Sequence, residues 1–267
     1  MAHLQVDAHR RIYFEHFEGR GIPIVLVHGW AVDSRCWDGV LPALFDTHRP
    51  VITIDHRCCG RSDRDFSDVT VGAIAADVVS LVDHLDLRRV VLNGWSLGGA
   101  VAVDAAVALG SRLAGLVLTG AATPRYTRAA DFPHGSSEAD VTGTIAAIRA
   151  DRAGTFEGVA RAVFAAQPSA AQHAFVARMF MDSSPRAYPT LLDLATLDQR
   201  SLLPKIAAPT LIAHGTDDAF VSLGIAHAAA RLLGNAQLST YSGCGHAPFL
   251  EAQSRYCDEL NAFLGRL

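Results

Sequence analysis

A serine lies between two glycines in the stretch Gly94-Trp95-Ser96-Leu97-Gly98. A short β-branched apolar run precedes it, and a segment rich in Ala, Val and Leu that predicts a buried helix follows. A strand that turns into a helix within a residue or two needs backbone angles that a Cβ opposes, and glycine removes this obstacle. The pattern therefore indicates a nucleophile elbow, in which the serine hydroxyl is presented for attack on an electrophilic carbon.

A serine hydroxyl is a weak nucleophile at neutral pH, so it needs a nearby base and a group that orients this base. Among 12 histidines, His246 is the candidate base, because its stretch GCGHAPFLE forms a Gly-rich loop between a predicted strand and the last predicted helix. The candidate acid is Asp218 in HGTDDAFVS, which follows a predicted strand by one tight turn. Asp217 is its competitor and is also typical of a turn or helix-cap residue.

The oxyanion of a tetrahedral intermediate needs N–H groups that already point at it. The amide of Leu97 is the first candidate, because the first N–H groups of a helix have no partner within that helix. The second candidate is the amide of Trp30, in the HGW stretch that follows the apolar run at 24–27. On their own, the residues HGW would predict only an ordinary turn. The strand predicted directly before them makes the amide of Trp30 a candidate donor.

The elements that must position these residues are short apolar strands alternating with segments of helical spacing. Strands are predicted at 24–27, 51–55, 90–93, 113–120, 208–215 and 236–243, and helices near 35–45 and 70–86. The first residues alternate between polar and apolar and predict antiparallel edge strands. This order predicts an α/β fold with a mostly parallel sheet of about eight strands and helices on both faces.

The alternation breaks after the sixth predicted strand. Residues 123–204 predict several helices, interrupted near prolines, and no convincing strand. We interpret this insertion as a helical lid, or cap, over the carboxyl ends of the strands, where ligands bind in open α/β sheets. The sequence thus predicts a core domain formed by 1–122 and 205–267, and a cap domain formed by 123–204.

Apolar substrate contacts are expected at the inner face of this cap. The candidates are large apolar side chains, although aromatic and Met residues at helical spacing are mostly core residues. They are Trp30 from the core and Phe156, Phe164, Met179 and Phe180 from the insertion. The insertion holds eight arginines and eight acidic residues, whereas a surface for an acidic carrier protein is usually basic. This balance favours a small or medium apolar substrate.

The composition of the 267 residues, with 50% hydrophobic and 19% charged, fits one large α/β domain with an insertion. A net charge of -4 gives no basic face for nucleic acid, and no apolar stretch is long enough to span a membrane. The polar N-terminal residues lack a signal-peptide core, so we expect a cytoplasmic protein. Five cysteines cannot all pair and lack zinc-site spacing, so we expect neither metal nor cofactor.

The stretches LVHGW, DHRCCGRSD, GWSLGG, HGTDD and GHAPFLE, in this order, resemble the α/β-hydrolase superfamily over nearly the whole chain. The resemblance is to capped serine esterases and lactonases, including the carboxylesterases that cleave pimeloyl-carrier-protein methyl esters. It implies the α/β-hydrolase fold, with Ser96 as nucleophile, Asp218 as acid and His246 as base, in the chain order of that fold. It also implies an oxyanion hole formed by the amides of Trp30 and Leu97.

Two stretches depart from the family pattern. Cys58 and Cys59 stand where relatives usually have Gly and an aromatic residue, which predicts an unusual wall of the substrate pocket. Ser222 stands where proline is commoner. Neither departure touches the three residues that the resemblance assigns to the triad.

Together these features predict a serine hydrolase that cleaves a small-molecule carboxylic ester or lactone through an acyl-enzyme intermediate. Related dehalogenases and epoxide hydrolases use an aspartate nucleophile, and Ser96 argues against both. Two kinds of alternative stay open. One is a carbon–carbon bond hydrolase or a thioesterase that uses the same triad, and the other is a non-catalytic ligand-binding module of the same fold.

Overall fold

The computed structural model of the protein describes residues 2–267. Its centre is one eight-stranded sheet with the strand order β1-β2-β4-β3-β5-β6-β7-β8. Strands β3 to β8 are parallel, and β2 runs antiparallel to both of its neighbours. The strands are β1 Ala2–Gln5, β2 Arg11–Phe17, β3 Ile24–Val27, β4 Val51–Ile54, β5 Val90–Trp95, β6 Leu113–Thr119, β7 Thr210–Gly215 and β8 Ala236–Tyr241. The predicted mostly parallel sheet of about eight strands is confirmed.

Helices cover both faces of this sheet. Strands β3 to β6 are buried along their whole length, which explains why their sequences are continuous apolar runs. The helices outside the insertion are α1 Leu41–Phe45, α2 Val71–His84, α3 Leu97–Leu109, α8 Leu223–Leu232, α9 Pro248–Glu251 and α10 Gln253–Leu264. Apart from Asp104, helix α3 consists of apolar residues and glycine, because it packs against β5, β6 and α2 at once.

The predicted helix near 35–45 is not one helix. A short 3₁₀ helix, Ser34–Trp37, is followed by the separate helix α1. Pro42 is near the start of α1, where its missing N–H costs nothing, whereas inside a longer helix it would remove a backbone hydrogen bond. The proline therefore starts a new helix.

Four helices lie between β6 and β7: α4 Glu138–Ala150, α5 Arg152–Ala162, α6 Ala170–Asp182 and α7 Pro189–Thr196. We call residues 123–204 the cap segment. Within it α4 packs on α5 and α7, and α5 packs on α6. Its only β-type pairing is two isolated bridges, at Thr127–Ser136 and Ala129–Phe132. None of the helices in residues 2–267 combines the length and the apolar character needed to cross a membrane.

The parallel strands bring their carboxyl ends to one edge of the sheet. The last residue of β3, Val27, is paired with Gly94 near the end of β5, and Trp95 is paired with Thr119 at the end of β6. Gly215 at the end of β7 is paired with Tyr241 at the end of β8. The loops that follow these strands carry the candidate residues, so they meet at this edge.

Candidate active site

Ser96 occupies the sharp turn between β5 and α3. Its backbone has φ 56° and ψ −121°, a conformation that is uncommon for a residue with a side chain. Its N–H donates to the carbonyl oxygen of Thr119 at 3.0 Å, and its own carbonyl accepts from Gly99 and Ala122, both at 2.9 Å. These bonds hold the strained conformation in place, as is common at functional turns.

The two glycines that flank Ser96 are required by close backbone contacts. A Cβ at Gly94 would overlap with the carbonyl oxygen of Gly98, and a Cβ at Gly98 would overlap with the carbonyl oxygen of His28. The start of α3 therefore packs directly against β5 and the loop after β3. Any larger residue at either position would push the serine out of the turn.

Asp218 and His246 form a buried hydrogen-bonded pair. The two residues follow β7 and β8, and His246 Nδ1 lies 2.8 Å from Asp218 Oδ2. The other carboxylate oxygen accepts from the backbone N–H groups of Phe220 at 2.8 Å and Val221 at 2.9 Å. Burial acts to raise the pKa of Asp218, but the charge and hydrogen bond of His246, together with the charge of His214 and the backbone N–H of Val221, outweigh it, so the pKa is lowered. An ionised carboxylate at Nδ1 leaves Nε2 of the ring to act as a base.

Asp217, the competing acid, lies elsewhere. Its side chain makes no hydrogen bond to a histidine within residues 2–267, and its N–H donates to the carbonyl oxygen of Cys244 at 2.9 Å. The residue is exposed, whereas the side chain of Asp218 is fully buried. The structure thus brings Asp218, and not its neighbour, to His246.

One cavity, of about 170 Å³, contains both halves of this arrangement, because Ser96 and His246 line it together. The loop after β3 lies beside the serine, since a Cβ at Gly29 would be 3.3 Å from the Ser96 Cβ. The amides of Trp30 and Leu97 donate to no other group among the described residues. Both are therefore free to bind an oxygen atom of a ligand.

The wall of the cavity is mostly apolar. Its apolar members from the core are Trp30, Trp95, Ala219 and Phe220, and those from the cap segment are Val141, Val159, Val163, Phe180, Leu191 and Leu194. Four further polar side chains line it, and all belong to the cap segment: Tyr126, Ser136, Asp140 and Thr144. We call these four residues the polar wall. These four residues were not predicted from the sequence, because only apolar side chains of the cap segment were considered as substrate contacts.

Two of the five predicted substrate contacts, Trp30 and Phe180, line the cavity. Phe156, Phe164 and Met179 were expected there as well, but they are buried within the protein and do not line it. Phe156 stacks behind Phe180 with ring centroids 5.2 Å apart. A thin cap needs large side chains to hold its own helices together, and these residues fill that role.

Trp30 joins the core to the cap segment. Its indole N–H donates to the carbonyl oxygen of Ala187 at 3.3 Å. Its ring lies 6.2 Å from Phe156, 6.4 Å from Phe180 and 6.1 Å from Tyr188, measured between centroids. The side chain is therefore seated among aromatic residues of the cap, while its backbone belongs to the loop beside Ser96.

Two further residues near the site were not singled out from the sequence. Glu251 accepts hydrogen bonds from the backbone of Gly245 at 2.6 Å and of Ala165 at 2.9 Å, and so joins the His246 loop to the cap segment. The buried His214 donates from Nε2 to Val221 at 2.8 Å, and burial lowers its pKa. Glu251 lies in the stretch GHAPFLE and His214 in the stretch HGTDD. Both stretches carry the family resemblance, and this was the signal in the sequence that could have pointed to these residues.

The five cysteines are all buried and unpaired. Cys58 and Cys59, expected to form an unusual pocket wall, do not line the cavity, since their loop packs under the cap: Ser184 donates to the Cys58 carbonyl at 2.9 Å. No cluster of three or more His, Cys, Asp or Glu residues that could hold a metal ion occurs in the described part of the chain.

Comparison with known proteins agrees with the fold. A family model for the alpha/beta hydrolase fold matches residues 22–253. The pimeloyl-[acyl-carrier protein] methyl ester esterase of Nitrosomonas europaea is 30% identical over 243 residues, which cover 89% of this chain and 94% of that protein. A non-heme chloroperoxidase of Streptomyces lividans is 33% identical over 236 residues, 85% of each chain.

Similar solved structures also have this fold. An esterase from Exiguobacterium antarcticum superposes with a TM-score of 0.92 at 26% identity, covering 96% of both chains. An esterase from Rhodococcus superposes with a TM-score of 0.86 at 29% identity, covering 98% of this chain and 97% of that one. The family match and these similarities show that the chain belongs to the α/β-hydrolase fold family.

Proposed function

We propose that the protein is a serine hydrolase that cleaves a small, largely apolar carboxylic ester or lactone through an acyl-enzyme intermediate. The observation that carries the proposal is the 2.8 Å hydrogen bond that joins the buried Asp218 to His246, which lines one cavity together with Ser96. The esterase names of similar proteins support the same reaction class. In this proposal the core, 1–122 and 205–267, supplies the chemistry, and the cap, 123–204, covers the substrate.

The first step is attack of Ser96 Oγ on the carbonyl carbon of the substrate. His246 takes the hydroxyl proton at Nε2, and Asp218 stabilises the imidazolium that forms. The carbonyl double bond opens, and its electron pair becomes the negative charge on oxygen. The free amides of Trp30 and Leu97 are the proposed donors to this oxygen, where preorganised N–H groups are most effective.

The second step expels the alcohol. The oxyanion re-forms the carbonyl, the bond to the alkoxy oxygen breaks, and His246 returns its proton to this oxygen. Water then attacks the acyl carbon with His246 again as the base. The bond from this carbon to Ser96 Oγ breaks, His246 returns the proton to Oγ, and the acid leaves. For a lactone the alcohol and acid remain in one molecule, and the same groups act in the same order.

The apolar wall supports a substrate with a hydrocarbon part. The cavity is small for a pocket that would hold a long chain, since typical ligand pockets span about 300–1,000 Å³. Phe180 from the cap segment and Trp30 from the core are among the large aromatic side chains that line it. We therefore expect short or medium esters, and lactones of similar size, to be the best substrates.

The test combines a substrate panel with active-site labelling. Esters of graded acyl length, a panel of lactones and one thioester are offered to the wild type and to Ser96→Ala. We expect Ser96→Ala to lower kcat by about 10⁶, because the triad residues act as a unit. A fluorophosphonate probe should label the wild type at Ser96, located by peptide mapping.

Ser111→Ala is the matched control, because Ser111 is exposed and lies outside the cavity. It should keep wild-type activity and labelling. Appreciable ester hydrolysis by folded Ser96→Ala, or labelling of another serine in the wild type, would overturn the proposal. A preference for the thioester over all oxygen esters would move the protein to the thioesterase class.

A further inference from the structure

The polar wall places hydrogen-bonding groups at one side of the cavity, and a hydrocarbon substrate cannot bind them. Its residues come from two neighbouring parts of the cap segment, the stretch before α4 and α4 itself. Asp140 and Thr144 are one helical turn apart on α4, so they share the face that also presents Val141 to the cavity. A substrate that fills this cavity therefore meets hydrogen-bonding groups at one side.

Asp140 is the distinctive member of this wall. One of its oxygens, Oδ2, accepts from the backbone N–H of Ser137 at 2.8 Å and from its hydroxyl at 2.7 Å. The hydrogen bonds from Ser137 lower the pKa of Asp140, so the carboxylate is ionised at neutral pH. The other oxygen, Oδ1, accepts no hydrogen bond from residues 2–267 and is free for a ligand.

The charge of Asp140 is not balanced at the cavity. The lining contains no arginine and no lysine, and its only other ionisable groups are Tyr126 and His246. Arg128 acts on the carboxylate from the exposed surface but forms no ion pair with it in the described part of the chain. Asp140 is itself exposed, so it lies where the cavity opens to solvent.

We propose that Asp140 determines substrate choice: the enzyme prefers esters whose far end carries a hydrogen-bond donor, above all a protonated amine, and rejects esters that end in a carboxylate. The apolar wall takes the hydrocarbon part, and Oδ1 of Asp140 takes the N–H groups of the ammonium. A carboxylate at the same place meets a negative charge that no cation of the cavity lining neutralises. This inference rests on the proposed ester hydrolysis.

The test uses three ethyl esters of one chain length, chosen at the length that the wild type cleaves best. One ends in a methyl group, one in an amine and one in a carboxylate. We expect the wild type to favour the amine over the carboxylate in kcat/KM by about tenfold, the scale of one exposed attraction and one exposed repulsion combined. Asp140→Asn should reduce this ratio to about twofold, with both esters measured relative to the methyl-terminated ester in the same variant.

Glu138→Gln is the matched control. It removes one negative charge two residues away, from a side chain that faces Arg125 and does not line the cavity. It should leave the ratio within about twofold of the wild type. Salt provides a readout that needs no variant: the wild-type ratio should fall towards one between about 0.02 and 0.5 M NaCl, because screening shortens the reach of the carboxylate charge.

The outcomes separate the two proposals. Cleavage of the methyl-terminated ester together with an amine-to-carboxylate ratio near one in the wild type overturns the role of Asp140 and leaves ester hydrolysis standing. An equal change of the ratio in Glu138→Gln and Asp140→Asn also overturns it, because the selection then comes from general surface charge. Absence of cleavage of all three esters by the folded wild type counts against the proposed function itself.

Discussion

The backbone N–H of His246 donates to the carbonyl oxygen of Val163 at 2.8 Å, so the loop of the proposed base is bonded directly to the cap segment. Glu251 reinforces the same junction, because its carboxylate accepts from Gly245 on one side and Ala165 on the other. Two backbone segments, the His246 loop and residues 163–165 of the cap segment, are thus joined by one carboxylate and one amide. We infer that the cap also holds His246 in place.

Glu251→Gln tests this junction. The amide replaces one acceptor oxygen by an NH₂ group that faces backbone N–H donors, so the His246 loop loses part of its support. We expect kcat to fall by about 10- to 100-fold, the scale of a misplaced catalytic group, and the free energy of unfolding to fall by about 1–3 kcal/mol. Ester turnover and denaturant unfolding measure the two effects.

Glu259→Gln is the control for Glu251, because Glu259 also binds a buried partner, Tyr241, but lies away from the cavity. It should lower stability and leave kcat within about twofold. A Glu251→Gln enzyme that is destabilised yet fully active would limit Glu251 to a structural role.

The proposed triad acid is tested by exchanging each of the two neighbouring aspartates. Asp218→Asn should lower kcat by about 10⁴, because His246 loses the partner that fixes its tautomer and stabilises its charge. Asp217→Asn should stay within about threefold of the wild type, because this exposed side chain makes no bond to His246. The opposite ranking in steady-state kinetics would assign the acid to Asp217.

The two stacked phenylalanines of the cap should respond differently to truncation. Phe180→Ala removes a cavity wall and should change the ratio of kcat/KM between short and long esters by roughly 10- to 200-fold. Phe156→Ala should instead lower the free energy of unfolding by about 3–5 kcal/mol, because the ring is fully buried behind the wall.

Phe175→Ala serves as the control for both truncations, since Phe175 lies on the exposed face of α6. It should change neither the chain-length profile nor the stability appreciably. A Phe180→Ala enzyme with the wild-type profile would move substrate selection to the loops of the core.

Acid should destabilise the protein through a pair of buried histidines. His28 and His56 stack with ring centroids 3.7 Å apart, and burial lowers the pKa of both below the ordinary value of 6.5. Both rings are neutral when folded, and they gain protons on unfolding once the pH is below 6.5. The stability they contribute is therefore complete above that pH and is lost as the pH falls towards their folded pKa values.

His56→Phe keeps a ring in the stack and removes one titrating group. Between pH 6.5 and 5 the free energy of unfolding should depend less steeply on pH than in the wild type, by up to about 1.4 kcal/mol per pH unit. Denaturant unfolding at several pH values measures this slope. An unchanged slope in His56→Phe would contradict the assignment.

The core and the candidate triad could be predicted because their signals are local. Buried parallel strands are continuous apolar runs, and the elbow needs glycine at fixed positions. Asp218 and His246 follow strands whose carboxyl ends must share one edge, so topology alone brings them together. The cap offered no such signal: whether Phe156 or Phe180 faces the cavity depends on how four helices pack on one another, which spacing within a single helix does not specify.

The side chain of Trp30 is seated in the cap, while its peptide unit is a proposed donor to the oxyanion. Replacing the cap segment by that of a relative would change the residues that pack around this indole, and would change the orientation of the peptide unit as well. A chimaera built to acquire a new substrate range would therefore also acquire a different barrier for its chemical step. We therefore expect that an exchange of residues 123–204 would need compensating changes in the loop after β3.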